Sequence, residues 1–317
     1  MQPYNPHVPV LLNEMIAALA PEAGKRYVDA TFGAGGYSRA ILEKADCCVI
    51  AVDRDPSVIE NAKALEAEYP GRFSFVAGEF ADLERLLAEC GVTDADGVVM
   101  DVGVSSMQID QPERGFSFQC DGPLDMRMSR TGTSAADAVN ALPEADLADI
   151  IYAYGGERRS RAIAARIVKK RADAPIATTA QLASIVRSCF PRAPRPGEVD
   201  NATRTFQAVR IYVNDELGQL ESALAAALRV LRPGGKMVAV TFHSLEDRIV
   251  KRFMHSSSPP PSASLSPSSP QPEFFMAPLM RGVVVPSDEE IRLNPRARSA
   301  KLRAGAKRRA GESLRQS

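Results

Sequence analysis

Short apolar runs alternate with amphipathic segments through the first hundred residues of the chain. The runs are brief, rich in β-branched or aromatic residues and bounded by turn residues, which is typical of buried strands. The segments between them have apolar residues at helical spacing; Leu83, Leu86 and Leu87, for example, share one face. The pattern predicts strands at 26–28, 47–52, 73–77 and 96–101, and helices at 37–43, 56–69 and 81–89. This alternation predicts an α/β fold with a parallel sheet.

The alternation stops near residue 109 and resumes after residue 205. Between these points only amphipathic helices are predicted, at 141–153, at 157–172 and after Thr178, which has capping-box spacing to Gln181. The chain then predicts a long helix over 205–231 that stops at Arg232-Pro-Gly-Gly, a strand over 236–242, a helix after His243 and a final strand around 300–304. We therefore expect an α/β domain, 1–108 and 206–317, with an all-helical domain, 109–205, inserted into it.

A glycine-rich turn follows the first predicted strand. It reads Asp29-Ala-Thr-Phe-Gly33-Ala-Gly35-Gly36, and the second strand after it ends on Asp53. Glycines let the backbone turn sharply near a ligand, and a helix start offers N–H groups without intrahelical partners. An acid roughly 20 residues beyond such a turn is where a ribose hydroxyl pair is held. This order predicts a site for an adenosine-type cofactor.

The spacing of the glycines distinguishes between two such cofactors. A dinucleotide site has the pattern G-x-G-x-x-G, whereas this turn has Gly33-x-Gly35-Gly36. Asp29 would repel a pyrophosphate but suits the ammonium of S-adenosylmethionine. The turn therefore favours S-adenosylmethionine. Asp101 ends the fourth strand, and we expect it to face the same crevice because ligands of open α/β sheets bind at the carboxyl ends of the strands.

Composition narrows the class of protein. No stretch approaches the ~18 consecutive apolar residues of a membrane helix, and the first residues lack the basic and apolar regions of a secretory signal. The five cysteines form no C-x-x-C pair and only three histidines are present, so a zinc site is not expected. These features predict a cytoplasmic protein without membrane or metal partners.

The net charge of zero hides an asymmetry along the chain. Residues 1–110 contain 8 Lys and Arg against 18 Asp and Glu, whereas residues 111–317 contain 31 against 21. Residues 292–317 form a basic tail, and residues 256–272, rich in serine and proline, are typical of a mobile loop. The asymmetry is compatible with a polyanionic partner at the basic part, and equally with two solvated faces.

Eight stretches of the chain resemble one family. They are His7-Val-Pro-Val-Leu-Leu, Asp29-Ala-Thr-Phe-Gly-Ala-Gly-Gly, Asp101-Val-Gly-Val-Ser-Ser, Glu113-Arg-Gly-Phe-Ser-Phe, Gly122-Pro-Leu-Asp-Met-Arg-Met, Thr203-Arg-Thr-Phe-Gln-Ala-Val-Arg, Phe242-His-Ser-Leu-Glu-Asp-Arg-Ile-Val-Lys and Asn294-Pro-Arg-Ala-Arg-Ser. All are similar to the ribosomal RNA small-subunit methyltransferase H family. The resemblance implies an S-adenosylmethionine-dependent enzyme that methylates N4 of a cytosine in the decoding centre of 16S rRNA, within the small ribosomal subunit. It also implies a Rossmann-like methyltransferase sheet interrupted by a helical module.

The same resemblance implies which residues contact the cofactor. The family's positions fall on Gly35, Gly36, Tyr37, Asp53, Phe80, Asp101 and Gln108. Tyr37 stands where many members have histidine, and we expect it to contribute its backbone. Met107 stands where proline is usual before Gln108, which puts the loop that aims Gln108 in doubt.

The residue that holds the target amine is not fixed by the sequence. Many amino-methyltransferases have an Asp/Asn-Pro-Pro-aromatic tetrad after the fourth strand, but here that place holds Asp101-Val-Gly-Val. Asp125, Asn214 and His243 are candidates, and a structural hydrogen bond is an alternative role for each. The basic residues expected to contact rRNA phosphates are Arg158, Arg159, Arg161, Lys169, Lys170, Arg171, Arg204, Arg296 and Arg298.

Three alternatives stay open. The first is a methyltransferase acting on a different RNA base, and the second is a nicotinamide-dependent oxidoreductase on a similar sheet, which Asp29 and Gly35-Gly36 disfavour. The third is a non-catalytic module that keeps the cofactor pocket. The sequence is also compatible with either a monomer or a homodimer.

Overall fold

The structure is a computed structural model that describes residues 9–195, 197–255 and 276–308. The chain forms two compact units, one of Met1–Gly103 with Leu217–Ser317 and the other of Val104–Glu216. We call the first the sheet unit and the second the helical unit. Among the described helices, none is both long and apolar enough to cross a membrane.

One sheet of seven strands forms the centre of the sheet unit, counted over its described residues. The strands are β1 (Arg26–Asp29), β2 (Cys48–Asp53), β3 (Phe73–Ala77), β4 (Ala95–Asp101), β5 (Leu231–Thr241), β6 (Met276–Pro278) and β7 (Lys301–Lys307). Their order is β3-β2-β1-β4-β5-β7-β6. Strands β1 to β5 are parallel, whereas β7 is antiparallel to both β5 and β6.

The strand order reverses between β1 and β4, because β1 leads to β2 on one side and β4 to β5 on the other. Such a switch point opens a crevice at the carboxyl ends of the strands, where ligands bind. Asp29 ends β1, Asp53 ends β2 and Asp101 ends β4. The topology therefore places three carboxylates at one edge of the sheet.

Helices cover this sheet and also build the second unit. In chain order they are α1 (Leu12–Leu19), α2 (Gly36–Lys44), α3 (Ile59–Glu68), α4 (Leu83–Glu89), α5 (Ser106–Asp110), α6 (Ala135–Ala141), α7 (Glu144–Gly155), α8 (Ser160–Asp173), α9 (Thr179–Arg187), α10 (Thr203–Asn214), α11 (Glu216–Val230), α12 (Ser244–His255) and α13 (Asp288–Leu293). Helix α11 buries Leu220, Leu224 and Leu228 at four-residue spacing in the same core as Val28 and Val98. That apolar stripe explains why the segment packs as a helix on the sheet.

The helical unit contains α5 to α10 and has its own core. Leu147, Ile151, Ile163 and Phe206 are buried together there. Within the described part of this unit, strand-like pairing is limited to a single bridge between Pro123 and Thr178. The α/β fold class with an inserted helical segment is confirmed, and so is the capping box of α9, in which Thr178 and Gln181 cap each other's backbone N–H.

The predicted long helix over 205–231 is wrong. Asp215 adopts a left-handed conformation, with φ 46°, and separates α10 from α11. Aspartate tolerates this conformation better than most residues. The units also change at residues 103/104 and 216/217, which is five residues before the predicted boundary at 108 and eleven residues after the predicted boundary at 205. The serine- and proline-rich loop at 256–272 and the tail beyond residue 308 lie outside the described residues.

Candidate functional site

The glycine turn joins β1 to α2 and has little room for side chains. Gly33 and Gly35 both have positive φ, 53° and 82°, which glycine adopts without steric cost. A Cβ on Gly35 would lie 2.8 Å from the Phe32 ring, and one on Gly36 would lie 2.2 Å from Pro9 Cγ. Glycine is therefore required at both positions for the backbone to pass this closely.

Asp53 ties this turn to the end of β2. Its Oδ2 accepts a hydrogen bond from Gly33 N at 2.8 Å, and its Oδ1 accepts one from Asp55 N at 2.8 Å. Burial raises the pKa of the Asp53 carboxyl. Each oxygen has a second lone pair, so the carboxylate can still accept from ribose hydroxyls. Asp55 instead caps the short turn after β2, by accepting from Ser57 N.

Asp29 is buried beneath the glycine turn. Its Oδ2 accepts from Ser38 Oγ at 2.7 Å and its Oδ1 accepts from Thr31 N at 3.2 Å. Burial, which disfavours the ionised form, raises the pKa of Asp29 to about 6. One oxygen thus holds the first turn of α2 against the end of β1, and the other holds the backbone of the turn between them.

Asp101 ends β4 in a more acidic environment. Its backbone N donates to Thr31 Oγ1 at 2.6 Å, which fixes the strand end beside the glycine turn. Burial, together with the charges of Asp29 and Glu246, raises the pKa of its carboxyl to about 8. Its Oδ1 is buried and has no hydrogen-bond partner among the described residues. The crevice therefore contains an acid that retains its proton near neutral pH.

Glu246 and His243 stabilise the start of α12. Glu246 Oε2 accepts from Phe242 N at 2.8 Å and from His243 N at 3.2 Å, while His243 Nδ1 accepts from Glu246 N at 3.4 Å. This is the geometry of a capping box with histidine in the N-cap position. His243 was a candidate for holding the target amine; the structure shows it in a helix cap. Glu246 was missed, although its place three residues after a strand–helix junction is a capping signal.

The side chains of Tyr37 and Phe80 both pack within the sheet unit. Tyr37 is buried and its hydroxyl donates to Val10 O, and burial raises its pKa well above the usual value. The side chain is thus structural, and only the backbone of Tyr37 is left for a ligand. Phe80 is half-buried and packs against the core of the sheet unit.

Three further predicted residues lie in the helical unit. Gln108 is buried and completes the capping box of α5, where its Oε1 accepts from Ser105 N at 3.0 Å. Asp125 pairs with Arg127, at 2.7 Å between Oδ2 and Nη2. Burial raises the pKa of Asp125, but the hydrogen bonds from Arg127 outweigh burial and lower the pKa overall.

Asn214, the third of these residues, uses all of its side-chain groups on the backbone of the helical unit. Its Nδ2 donates to Met126 O at 2.7 Å and to Arg210 O at 2.9 Å, and its Oδ1 accepts from Met128 N at 2.9 Å. These bonds hold the segment after Asp125 against α10. The arrangement therefore gives Asn214 a structural role.

The side chains predicted to contact RNA differ in whether they already form ion pairs or hydrogen bonds within the protein. Arg158, Arg161 and Lys169 are exposed and form no ion pair within the described part of the chain. Others are partly engaged: Arg159 donates to Cys189 O, Arg171 donates to Val139 O, Lys170 lies 3.8 Å from Asp173, and Arg204 lies 3.8 Å from Glu157. Arg296 and Arg298 are exposed in the sheet unit.

The basic excess is not spread evenly over the second half of the chain. Residues 104–216 contain 15 Lys and Arg against 14 Asp and Glu, whereas residues 217–317 contain 16 against 8. The helical unit is thus nearly neutral as a whole. Its positive charge is concentrated in α8, which carries five basic residues and a single acid, Asp173.

The topology and the crevice define a class: an open α/β domain with a glycine turn after β1 and acids at the carboxyl ends of β1, β2 and β4. Comparison of sequences gives the family. The model of the MraW methylase family matches residues 4–308, and the chain belongs to that family. Membership of a methylase family supports the prediction of S-adenosylmethionine as the cofactor.

Curated relatives match nearly the whole chain. A protein of Rhodospirillum rubrum named ribosomal RNA small subunit methyltransferase H is 55% identical over 312 residues, which cover 96% of this chain and 95% of the relative. Proteins of the same name from Paramagnetospirillum magneticum and Rickettsia bellii are 55% and 51% identical, and the matches cover 95% of this chain in both cases and 96% and 99% of the relatives.

Solved structures are more distant. An rRNA methylase of Streptococcus thermophilus matches with a TM-score of 0.40 at 9% identity, over 94% of each chain. The N-methyltransferase NodS of Bradyrhizobium japonicum matches with a TM-score of 0.41 at 7% identity, also over 94% of each chain. At this similarity the matches support no conclusion about ligand or substrate.

Proposed function

We propose that this protein transfers a methyl group from S-adenosylmethionine to the N4 exocyclic amine of a cytosine in the decoding centre of 16S rRNA. The observation that carries the proposal is the 55% identity, over 312 residues, to a ribosomal RNA small subunit methyltransferase H. That match includes the stretches in which the glycine turn, Asp53 and Asp101 lie. We also propose that the reaction takes place in the cytoplasm, on the small ribosomal subunit.

The sheet unit fits the cofactor on three observations. Gly33 and Gly35 have positive φ, so the turn after β1 has the left-handed backbone that glycine allows, and α2 begins directly after it with its first N–H groups available. Asp53 keeps acceptor capacity for a ribose. Asp101 Oδ1 is buried without a partner among the described residues, as expected of a group that awaits a donor from a ligand.

S-adenosylmethionine supplies, when bound, a methyl group on a positively charged sulfur. Asp53 and Asp101 end two strands at the crevice, and a positive charge bound there would favour their ionised forms over the protonated forms that burial favours. In this proposal Gly33 to Gly36 and Asp53 hold the adenosine, and Asp101 lies on the side of the amino-acid end.

The protein's task at the target base is to hold it in position. The lone pair of a cytosine N4 amine is delocalised into the ring, which makes the amine a poor nucleophile. Alignment of the reacting groups lowers the barrier without a strong base. No tetrad of the Asp-Pro-Pro-aromatic kind follows β4, where the chain has Asp101-Val-Gly-Val. The acceptor for the amine hydrogens therefore comes from residues outside that motif.

Exposed arginine and lysine side chains form a surface that can bind the phosphates of the RNA backbone. Arg158, Arg161 and Lys169 form no ion pair within the described residues and lie on or just before α8. A base in a folded RNA has to be splayed out before an enzyme can modify it, and phosphate contacts hold the flanking nucleotides while this happens. We propose that α8 makes such contacts, together with Arg298 of the sheet unit.

The experiment that tests the proposal maps methyl groups on 16S rRNA. Small subunits from cells that lack the enzyme are incubated with the purified protein and labelled S-adenosylmethionine. We expect one labelled cytosine, carrying the label on N4, in the decoding centre. Label on another base would favour the alternative of a different RNA target, and absence of label with both subunits and free rRNA would contradict the proposal.

A further inference from the structure

Two carboxylate oxygens of the sheet unit are buried without a hydrogen-bond partner among the described residues. They are Asp101 Oδ1 and Glu246 Oε1. Glu246 is 0% exposed, and only its other oxygen, Oε2, is engaged, by Phe242 N and His243 N. A buried carboxylate oxygen is unfavourable unless some donor reaches it. The two oxygens are therefore placed to accept hydrogen bonds from a ligand.

The two acids lie at the same edge of the sheet. Asp101 pairs with Val240 in the parallel register of β4 and β5, and Glu246 follows β5 in the first turn of α12. A Cβ on Gly103, two residues after Asp101, would lie 3.7 Å from Glu246 Oε1. The charge of Glu246 also contributes to the raised pKa of Asp101, after burial and Asp29. The two carboxyl groups are thus close enough for their charges to interact.

The other acids of the crevice already have their donors. Both oxygens of Asp29 accept hydrogen bonds, from Ser38 and Thr31, and both oxygens of Asp53 accept backbone hydrogen bonds. His243 Nε2 lies 3.0 Å from Glu246 Oε1, but the two atoms are not hydrogen-bonded. Among these described acids, only Asp101 and Glu246 have an oxygen without a hydrogen bond.

We propose that Glu246 and Asp101 together bind the ammonium at the amino-acid end of the methyl donor, with Glu246 as a cofactor-binding residue. The inference rests on the proposed function, because it takes S-adenosylmethionine as the ligand. An ammonium has three N–H donors, enough for both oxygens, and its positive charge would favour the ionised form of Asp101 over the protonated form that burial favours. The sulfonium is also positive but carries no N–H donor, and the adenosine is neutral.

The test compares ligands that differ at the amino-acid end. Isothermal titration calorimetry of the full chain measures the affinity for three ligands. The first is S-adenosylhomocysteine. The second is its deaminated analogue, which keeps the carboxylate, and the third is its decarboxylated analogue, which keeps the ammonium. In the variant Glu246→Gln an oxygen acceptor remains for Phe242 N and His243 N while the charge is lost. We expect this variant to bind S-adenosylhomocysteine and the decarboxylated analogue on the order of 10- to 100-fold more weakly. Affinity for the deaminated analogue should not change.

A matched control and a second variant separate the effect of Glu246 on ligand binding from a general effect of losing an acid. Glu221→Gln removes an exposed acid of α11, paired with Arg252, and should leave all three affinities unchanged. Asp101→Asn should show the same ligand pattern as Glu246→Gln, and thermal unfolding of each variant reports whether it folds. An equal loss for all three ligands, or none for S-adenosylhomocysteine, would overturn the inference. If the wild-type chain bound none of the ligands, the proposed function would fail as well.

Discussion

Gly33 N donates a 2.8 Å hydrogen bond to Asp53 Oδ2, so the glycine turn after β1 is joined directly to the end of β2. The residues are 20 positions apart in the chain and belong to different loops. One carboxylate thus shapes the turn and remains available to a ribose. A change at Asp53 is therefore expected to affect both the turn and the ligand.

Replacing Asp53 by asparagine tests that double role. The amide oxygen can still accept a hydrogen bond from one of the two backbone groups, Gly33 N or Asp55 N, but the amide NH₂ then faces the other. The substitution also removes the negative charge that strengthens a hydrogen bond from ribose. We expect affinity for S-adenosylhomocysteine to fall by about 10- to 100-fold. Titration calorimetry measures this, with Glu43→Gln, an exposed acid of α2, as control. Unchanged affinity would show that Asp53 does not bind the ligand.

Gly35→Ala is expected to destabilise the protein more than Gly24→Ala. Both glycines have positive φ, 82° and 72°, but only Gly35 has a close neighbour, the Phe32 ring, where a Cβ would lie. The difference between the two variants in the free energy of unfolding therefore reports the clash with Phe32, because the backbone strain is common to both. We expect a cost of about 1 kcal/mol for Gly24→Ala and about 3 kcal/mol for Gly35→Ala. Thermal unfolding compares them, and equal shifts would contradict the clash.

The stability of the ligand-free protein should fall as pH rises from 4 towards 8. The raised pKa values, about 8 for Asp101 and about 6 for Asp29, mean that the folded chain binds more protons than the unfolded chain over this range. Stability decreases with pH wherever the folded state holds the extra protons. The contribution of Asp29 is lost as pH rises towards 6, and that of Asp101 as pH rises towards 8.

Asp101→Asn should flatten this pH dependence, because the amide does not titrate. Melting temperatures at pH 6 and pH 8.5 measure the effect for the wild type and the variant. Asp94→Asn, a change in an exposed acid paired with Arg232, is the control and should keep the wild-type slope. The same slope in Asp101→Asn as in the wild type would contradict the raised pKa.

Binding to 16S rRNA should weaken steeply with salt, and α8 should account for part of that slope. Removing a side chain that binds one phosphate reduces the slope of log affinity against log salt by about 1. Arg161→Ala and Lys169→Ala are expected to have this effect in filter binding. Arg85→Ala, in α4, removes a cation already paired with Asp82 and Glu89 and should not. A salt-independent affinity of the wild-type chain would contradict the basic-surface proposal.

Local patterns in the sequence were sufficient to predict most strands of the sheet. The strand at 73–77 was predicted with the bounds that the structure has, and the glycine turn was placed correctly between β1 and α2. Such elements are specified by short-range periodicity and by residues that favour turns. The capping box at Thr178 was predictable for the same reason.

The remaining features depend on contacts between residues far apart in the chain. The break at Asp215 was not predicted, because the apolar spacing continues from α10 into α11 and aspartate alone is a weak signal. The engagement of Asn214 with Met126 and Met128 spans more than 80 residues. Likewise, only the pairing of β4 with β5 brings Glu246 close to Asp101.

Strand β7 has a consequence for how the protein is made. It is the last described element of the chain, yet it lies between β5 and β6 in the sheet. During translation, the edge of β5 has no partner until residue 307 has left the ribosome, and an unpaired edge is prone to join with other chains. The sheet is thus completed only after this late segment has been made, and a nascent chain that stalls before it leaves that edge of β5 unpaired.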